Sequence, residues 1–200
     1  MAAIDTLFVT KLYRAELDSI SAATVAAACR AIAQADHAGA EWSRAHGYKG
    51  YTSYASLDDL AVRAPEFGQL KKEFDRHVAA FADTAAFDLR RRRLRMDSFW
   101  INILKPGGVH TGHIHPHSAV SGTYYAAVPS GAGAIRFEDP RLGLMMAAPQ
   151  RRADAGPDQQ LFVSVKPQAG TLLLWESWLR HEVPLNEATQ DRISVSFNYR

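Results

Sequence analysis

The sequence predicts a mainly β fold, an antiparallel sandwich or barrel, with helices from its first half packed on the outside. Three observations carry this: helical apolar periodicity before residue 95, a run of short β-rich segments after Met96, and turn signals between those segments. With 200 residues, 47% hydrophobic and 22% charged, the chain is long enough to bury a core, and we expect a single domain over 1–200. Within it, 1–95 reads as the helical part and 96–200 as the β core.

The first helix is expected over Ile20 to Ala33, where good helix formers dominate and Ile20, Val25, Ala28 and Ile32 recur near helical spacing. Asp18 or Ser19 is the expected cap. A second helix is predicted from about Ser56 to Leu60 and a third from Pro65, where Phe67, Leu70, Phe74, Val78 and Phe81 form a stripe at three- and four-residue steps. Strands are predicted at Phe99–Leu104, Gly122–Val128, Ala134–Phe137, Leu161–Val165, Thr171–Trp175 and Arg192–Phe197. Lys105-Pro106-Gly107-Gly108 and Pro129-Ser130-Gly131 punctuate them.

Composition excludes several classes. The 23 basic and 21 acidic residues leave a net charge of +2, which argues against nucleic acid as a partner. Arg90 to Arg95 is the strongest charge cluster, and we read it as a solvated segment leading into the β region. Cys29 has no second cysteine to pair with and reads as a small core residue. No stretch approaches a membrane span, and the N-terminus lacks a basic segment followed by an apolar run, so a cytoplasmic protein with no membrane association is expected. The amphipathic N-terminal helices make a homodimer an open possibility.

Five of the eight histidines fall between His110 and His181, and His113, His115 and His117 alternate. On a strand, alternate residues point the same way about 6.7 Å apart, so two imidazoles at that spacing can converge on one metal ion. His181, a short turn after the Thr171 strand, is the best third ligand. Arg192 and Ser194 alternate on the last predicted strand, so a guanidinium and a hydroxyl share a face and can hold a carboxylate. His110 and His117 read as rim residues. Asp139-Pro140-Arg141 reads as a turn, and Trp100, Trp175 and Trp178 as core or pocket wall.

Three ordered blocks carry a resemblance. His113-Ile114-His115-Pro116-His117 with Gly122-Thr123-Tyr124-Tyr125, then Gly170 to His181, then Arg192-Ile193-Ser194-Val195-Ser196-Phe197-Asn198 resemble the bacterial and phage group of 2-oxoglutarate- and Fe(II)-dependent oxygenases in the prolyl-hydroxylase-like superfamily. The likeness covers roughly Trp100 to Asn198. It implies a double-stranded β-helix, a cupin-like jelly-roll barrel, with Fe(II) as cofactor and 2-oxoglutarate as co-substrate. It further implies His113, His115 and His181 at the metal, Arg192 on the distal carboxylate of 2-oxoglutarate, and Ser194, Tyr125 and Asn102 beside it.

One departure stands out, because the superfamily carries Asp or Glu where this chain has His115. Either His115 is itself the third ligand, which the alternation favours, or Glu138, Asp139 or Glu182 completes the shell. The default outcome is hydroxylation of a small-molecule or peptide substrate. A three-histidine cupin-type metalloenzyme that needs no 2-oxoglutarate and a non-catalytic jelly-roll binding protein are the competing readings. Substrate identity is expected to rest on loops at Lys105 to Gly112 and Gly143 to Pro157, with Met145-Met146 an adaptable apolar patch.

Overall fold

The last strand organises the architecture. In the computed structural model, which describes residues 1–141 and 146–200, β10 (Arg192–Tyr199) is buried at all eight positions. Its odd-numbered residues Ile193, Val195, Phe197 and Tyr199 join an apolar core on one face. Its even-numbered residues Arg192, Ser194, Ser196 and Asn198 line a cavity on the other. A strand polar at every second position yet buried throughout must face an enclosed polar site.

Two antiparallel sheets are built around it. The larger has six strands in the order β1 (Tyr13–Glu16), β8 (Thr171–Glu176), β5 (Val120–Ala127), β10, β3 (Met96–Leu104) and β2 (Gly50–Thr52). The smaller has β4 (His110–His113), β9 (His181–Val183), β6 (Ile135–Glu138) and β7 (Phe162–Val165). Hydrogen bonding yields two sheets rather than one closed one. The predicted strands appear with slightly shifted ends, whereas β1, β2 and β9 were not expected. Two of these, β1 and β2, lie within 1–95, so the N-terminal part is not purely helical: it supplies both edges of the large sheet.

The helices cover the outer face of that sheet. Helix α1 (Ala22–Ala35) is capped by Ser21, whose side chain accepts from Thr24 N, rather than by Asp18 or Ser19. Helix α2 (His37–Ala45) was not expected. The predicted second helix is only the short α3 (Leu60–Arg63). Helix α4 (Pro65–Thr84) starts at its proline and buries Phe67, Leu70, Phe74, Val78 and Phe81, the stripe seen in the sequence. Phe74 stacks on Phe197 at 4.0 Å between ring centroids and meets Phe99 edge-on at 5.8 Å. Because the stripes of α1 and α4 are consumed by the sheet, they are not available to a second copy. No described helix is long and apolar enough to cross a membrane.

A second cluster fills the space between the sheets at one end: Tyr125, Leu173 and Trp175 from the large sheet meet Ile135, Phe137, Val165 and Leu179. The other end stays open as a cavity of about 440 Å³.

Candidate metal and co-substrate site

His113 ends β4 and His181 begins β9, and the two are cross-strand partners with ring centroids 4.5 Å apart. His115 lies beyond the strand, held where its N–H donates to the Ser177 carbonyl at 3.0 Å. The strand alternation expected through His115 therefore stops at His113, but the third ring still arrives, 5.1 Å from each of the other two. One nitrogen from each ring lies within 4.8 Å of the others, and this is the metal-competent His/Cys/Asp/Glu cluster among the described residues.

Each ring has its tautomer set from behind. Nδ1 of His113 donates to the Thr111 carbonyl at 2.7 Å, Nδ1 of His181 to the Leu179 carbonyl at 2.9 Å, and Nδ1 of His115 to Asn198 Oδ1 at 2.5 Å. A carbonyl oxygen has no proton to give, so the proton sits on Nδ1 and the Nε2 lone pair is free in all three. Asn198 is itself fixed, since its Nδ2 donates to Ser98 Oγ and its Oδ1 also accepts from Ser121 Oγ, both at 2.8 Å. Burial, with the neighbouring His113 adding to it, holds His181 down to about 3. Burial likewise lowers His115, against the opposing hydrogen bond to Asn198. Both are neutral imidazoles at physiological pH, the form that binds metal.

The candidate carboxylates are engaged elsewhere. Glu138 pairs with Arg180 at 2.9 Å, Asp139 with Arg141 at 2.8 Å, and Glu182 with Arg136 through Nε at 2.6 Å. Glu182 follows His181 on β9 and Glu138 follows Phe137 on β6, so both project from the opposite face of the small sheet.

Deeper in the cavity lies Arg192, 2% exposed. Its Nη1 donates to Ser194 Oγ at 3.4 Å and its guanidinium lies 4.9 Å from the Tyr125 ring centroid. Arg192 Nε and the Tyr125 hydroxyl have no hydrogen-bond partner, and Arg192 has no acidic partner among the described residues. A buried guanidinium without a counter-ion is costly, so this arrangement fits an anionic ligand that supplies the missing charge. Asn102 lines the same cavity opposite Ser194, its amide donating to Ser196 Oγ at 3.2 Å.

Sequence reasoning missed two features. His110 is not a rim residue: it lines the cavity, its Nε2 accepting from the Tyr48 hydroxyl at 2.5 Å, and burial followed by the nearby Arg192 charge holds it down to about 3. Asn198, behind His115, was quoted only as part of a motif. His117 is exposed with φ of 69°, as a rim residue should be, and Trp178 is 45% exposed rather than part of a wall. Leu142 to Met145 lie outside the described residues, and with them part of the proposed Gly143–Pro157 loop and Met145 of the Met pair.

A family model described as "Putative 2OG-Fe(II) oxygenase" matches residues 98–198, which contain the three histidines and the Arg192 cluster. The chain belongs to this family. It is an oxygenase that takes Fe(II) and 2-oxoglutarate, and the two competing readings fall away. Solved structures share the fold at low identity. HygX from Streptomyces hygroscopicus, with nickel and 2-oxoglutarate bound, aligns at TM-score 0.62 and 16% identity over 95% of this chain and 82% of its own. The epimerase SnoN from nogalamycin biosynthesis gives 0.61 and 14% over 95% and 76%. A Pseudomonas putida prolyl-4-hydroxylase gives 0.56 and 18% over 96% and 88%. No curated protein matches the sequence.

Proposed function

We propose that this oxygenase holds Fe(II) by the Nε2 atoms of His113, His115 and His181, and 2-oxoglutarate by Arg192, Ser194 and Tyr125, in order to hydroxylate a small organic substrate. The observation that carries the reading is the set of three inward-facing lone pairs, each with its Nδ1 proton tied to a separate oxygen. When bound, the metal and co-substrate supply the oxidising power, consuming dioxygen and releasing succinate and carbon dioxide while substrate is oxidised.

The protein residues do the rest. Three neutral imidazoles leave the full double charge of the ion, which the near carboxylate of dianionic 2-oxoglutarate would offset in part. Arg192 then meets the far carboxylate as the counter-charge it lacks, with Ser194 and the Tyr125 hydroxyl as neighbouring donors. Asn102, beside Ser194 on the neighbouring strand, lines the same wall of the cavity and shapes that end. Tyr48 and His110, locked together, wall the cavity between the arginine and the histidines. Trp175, with its ring 4.7 Å from His181, and Phe137 keep the inner end dry.

The finer architecture that suits this reading is a double-stranded β-helix, its two halves being the six- and four-stranded sheets, with 1–200 acting as one domain. We place the enzyme in the cytoplasm, where a lone unpaired cysteine is the usual state. Metal content tests the ligand set. Purified His113→Ala, His115→Ala and His181→Ala variants should each lose stoichiometric Fe(II), whereas Glu182→Ala should retain it. Loss in His113→Ala with full retention in His115→Ala would sink the three-histidine shell.

A further inference from the structure

A slip in strand register aims a carboxylate into the cavity near the start of β3. Along this strand Phe99, Ile101 and Ile103 join the helix-side core while Trp100 and Asn102 line the cavity, so strict alternation would send Asp97 to the core beside Phe99. The pairing with β10 shifts there instead. Asn198 stands opposite Ser98 and Tyr199 opposite Met96, which leaves one extra residue in β3. Met96 accordingly packs on the core, and Asp97 joins Ser98 in lining the cavity, a re-aiming that bulges beside functional sites often perform.

Asp97 is the only acidic residue among the described residues that line the cavity, and Arg192 is the only arginine or lysine. With Arg192 matched by the far carboxylate of 2-oxoglutarate, the charged side chain left to meet substrate is a carboxylate. Arg200 Nε lies 2.8 Å from Asp97 Oδ1, but the Arg200 side chain is 71% exposed, and neither it nor its backbone partner Arg95 lines the cavity. An ion pair so open to water contributes little and yields to a ligand cation at small cost.

The same wall is aromatic. Tyr54 meets Trp100 with ring centroids 5.1 Å apart and planes at 74°, so the two rings form a corner. Tyr54, 59% exposed, marks the outer end of this wall, and Trp100 reaches inward to lie 5.9 Å from the His115 ring. Ring faces attract cations, and a carboxylate supplies the opposing charge, so this end of the cavity suits an ammonium group.

Resting on the proposed metal and co-substrate site, we propose that the substrate is an amine. Its ammonium group docks between Asp97 and the Tyr54–Trp100 corner, while its carbon skeleton runs past Trp100 and Ile114 toward the histidines. Asp97 is then a specificity residue, at the opposite end of the β3–β10 ladder from the Arg192 anchor of the co-substrate.

The test is a calorimetric titration of Ni(II)-loaded protein saturated with 2-oxoglutarate, so that Arg192 is occupied. The probes share one aromatic skeleton and differ in charge: 2-phenylethylammonium, the neutral 2-phenylethanol and 3-phenylpropionate. The ammonium should bind about five-fold or more tighter than the alcohol, the size of a partly exposed ion pair reinforced by a ring face, and the carboxylate no tighter than the alcohol. In Asp97→Asn the preference for the ammonium should vanish while 2-oxoglutarate still binds, which shows that the fold and the inner site are intact. An ammonium that binds no tighter than the alcohol, a carboxylate that binds tightest, or a preference that survives Asp97→Asn would overturn the proposal. Failure of 2-oxoglutarate to bind even the unsubstituted protein would instead point to the underlying site.

Discussion

At the scale of single residues, the proposed metal site rests on side chains beyond its three histidines. Asn198 Oδ1 fixes which nitrogen of His115 faces inward, and Ser98 and Ser121 fix Asn198 in turn. Asn198→Ala should weaken metal binding by about 10- to 100-fold with the fold intact, as loss of a group that orients a ligand does. A competition titration against a chelator measures it, and unchanged affinity would mean that the Nδ1 partner of His115 is irrelevant. His113 and His115 stood out in the sequence because imidazoles at alternate positions are rare without a purpose, and His181 because it follows the Thr171 strand by a short turn. Asn198 and the Tyr48–His110 pair did not, since each contact joins residues 83 or 62 positions apart and leaves no local pattern.

Among the elements, α4 was the most legible, because Pro65 marks its start and five apolar residues hold one register over its length. Phe74→Ala should cost about 3–5 kcal/mol, since it empties a ring-sized space between α4, Phe99 and Phe197. Urea unfolding reads this directly, and a loss under 1 kcal/mol would contradict the packing. Helix α2 is anchored by Asp36, which caps Gly39 N at 3.0 Å and accepts from the Tyr51 hydroxyl at 2.8 Å and from Ser56 at 2.5 Å. Burial opposes ionisation there, but Ser56, Gly39 and Tyr51 together hold the carboxyl below its usual value. A depressed carboxyl stabilises the fold above its unfolded pKa and loses that contribution as pH falls through the folded one. Asp36→Ala should therefore cost about 1–2 kcal/mol near neutrality, and its difference from wild type should shrink in acid; a difference that grew below pH 4 would reverse the assignment. The segment was illegible because His37 to Ala45 has no clear apolar stripe. Strands β1, β2 and β9, only three or four residues long, exist by virtue of their partners rather than their own propensity.

For the whole molecule, the change from helical to β texture at Met96 was readable, and so was the sandwich-like arrangement with helices outside. The sequence could not indicate that the first half would contribute both edges of the large sheet, because edge pairing is decided by what lies next to Leu174 and Ile103 rather than by Tyr13 or Tyr51 themselves. The two faces of β10 divide the labour, apolar toward the helices and polar toward the cavity, so that stability and chemistry share one strand without competing for positions. The most direct test is an anaerobic titration of Fe(II)-loaded protein with 2-oxoglutarate, followed by the weak visible charge-transfer band of chelation. The band should grow to one equivalent and weaken strongly in Arg192→Ala, whose buried guanidinium has no acidic partner among the described residues. Absence of the band at full iron loading, or a band indifferent to Arg192→Ala, would contradict the assignment of Arg192 to the co-substrate.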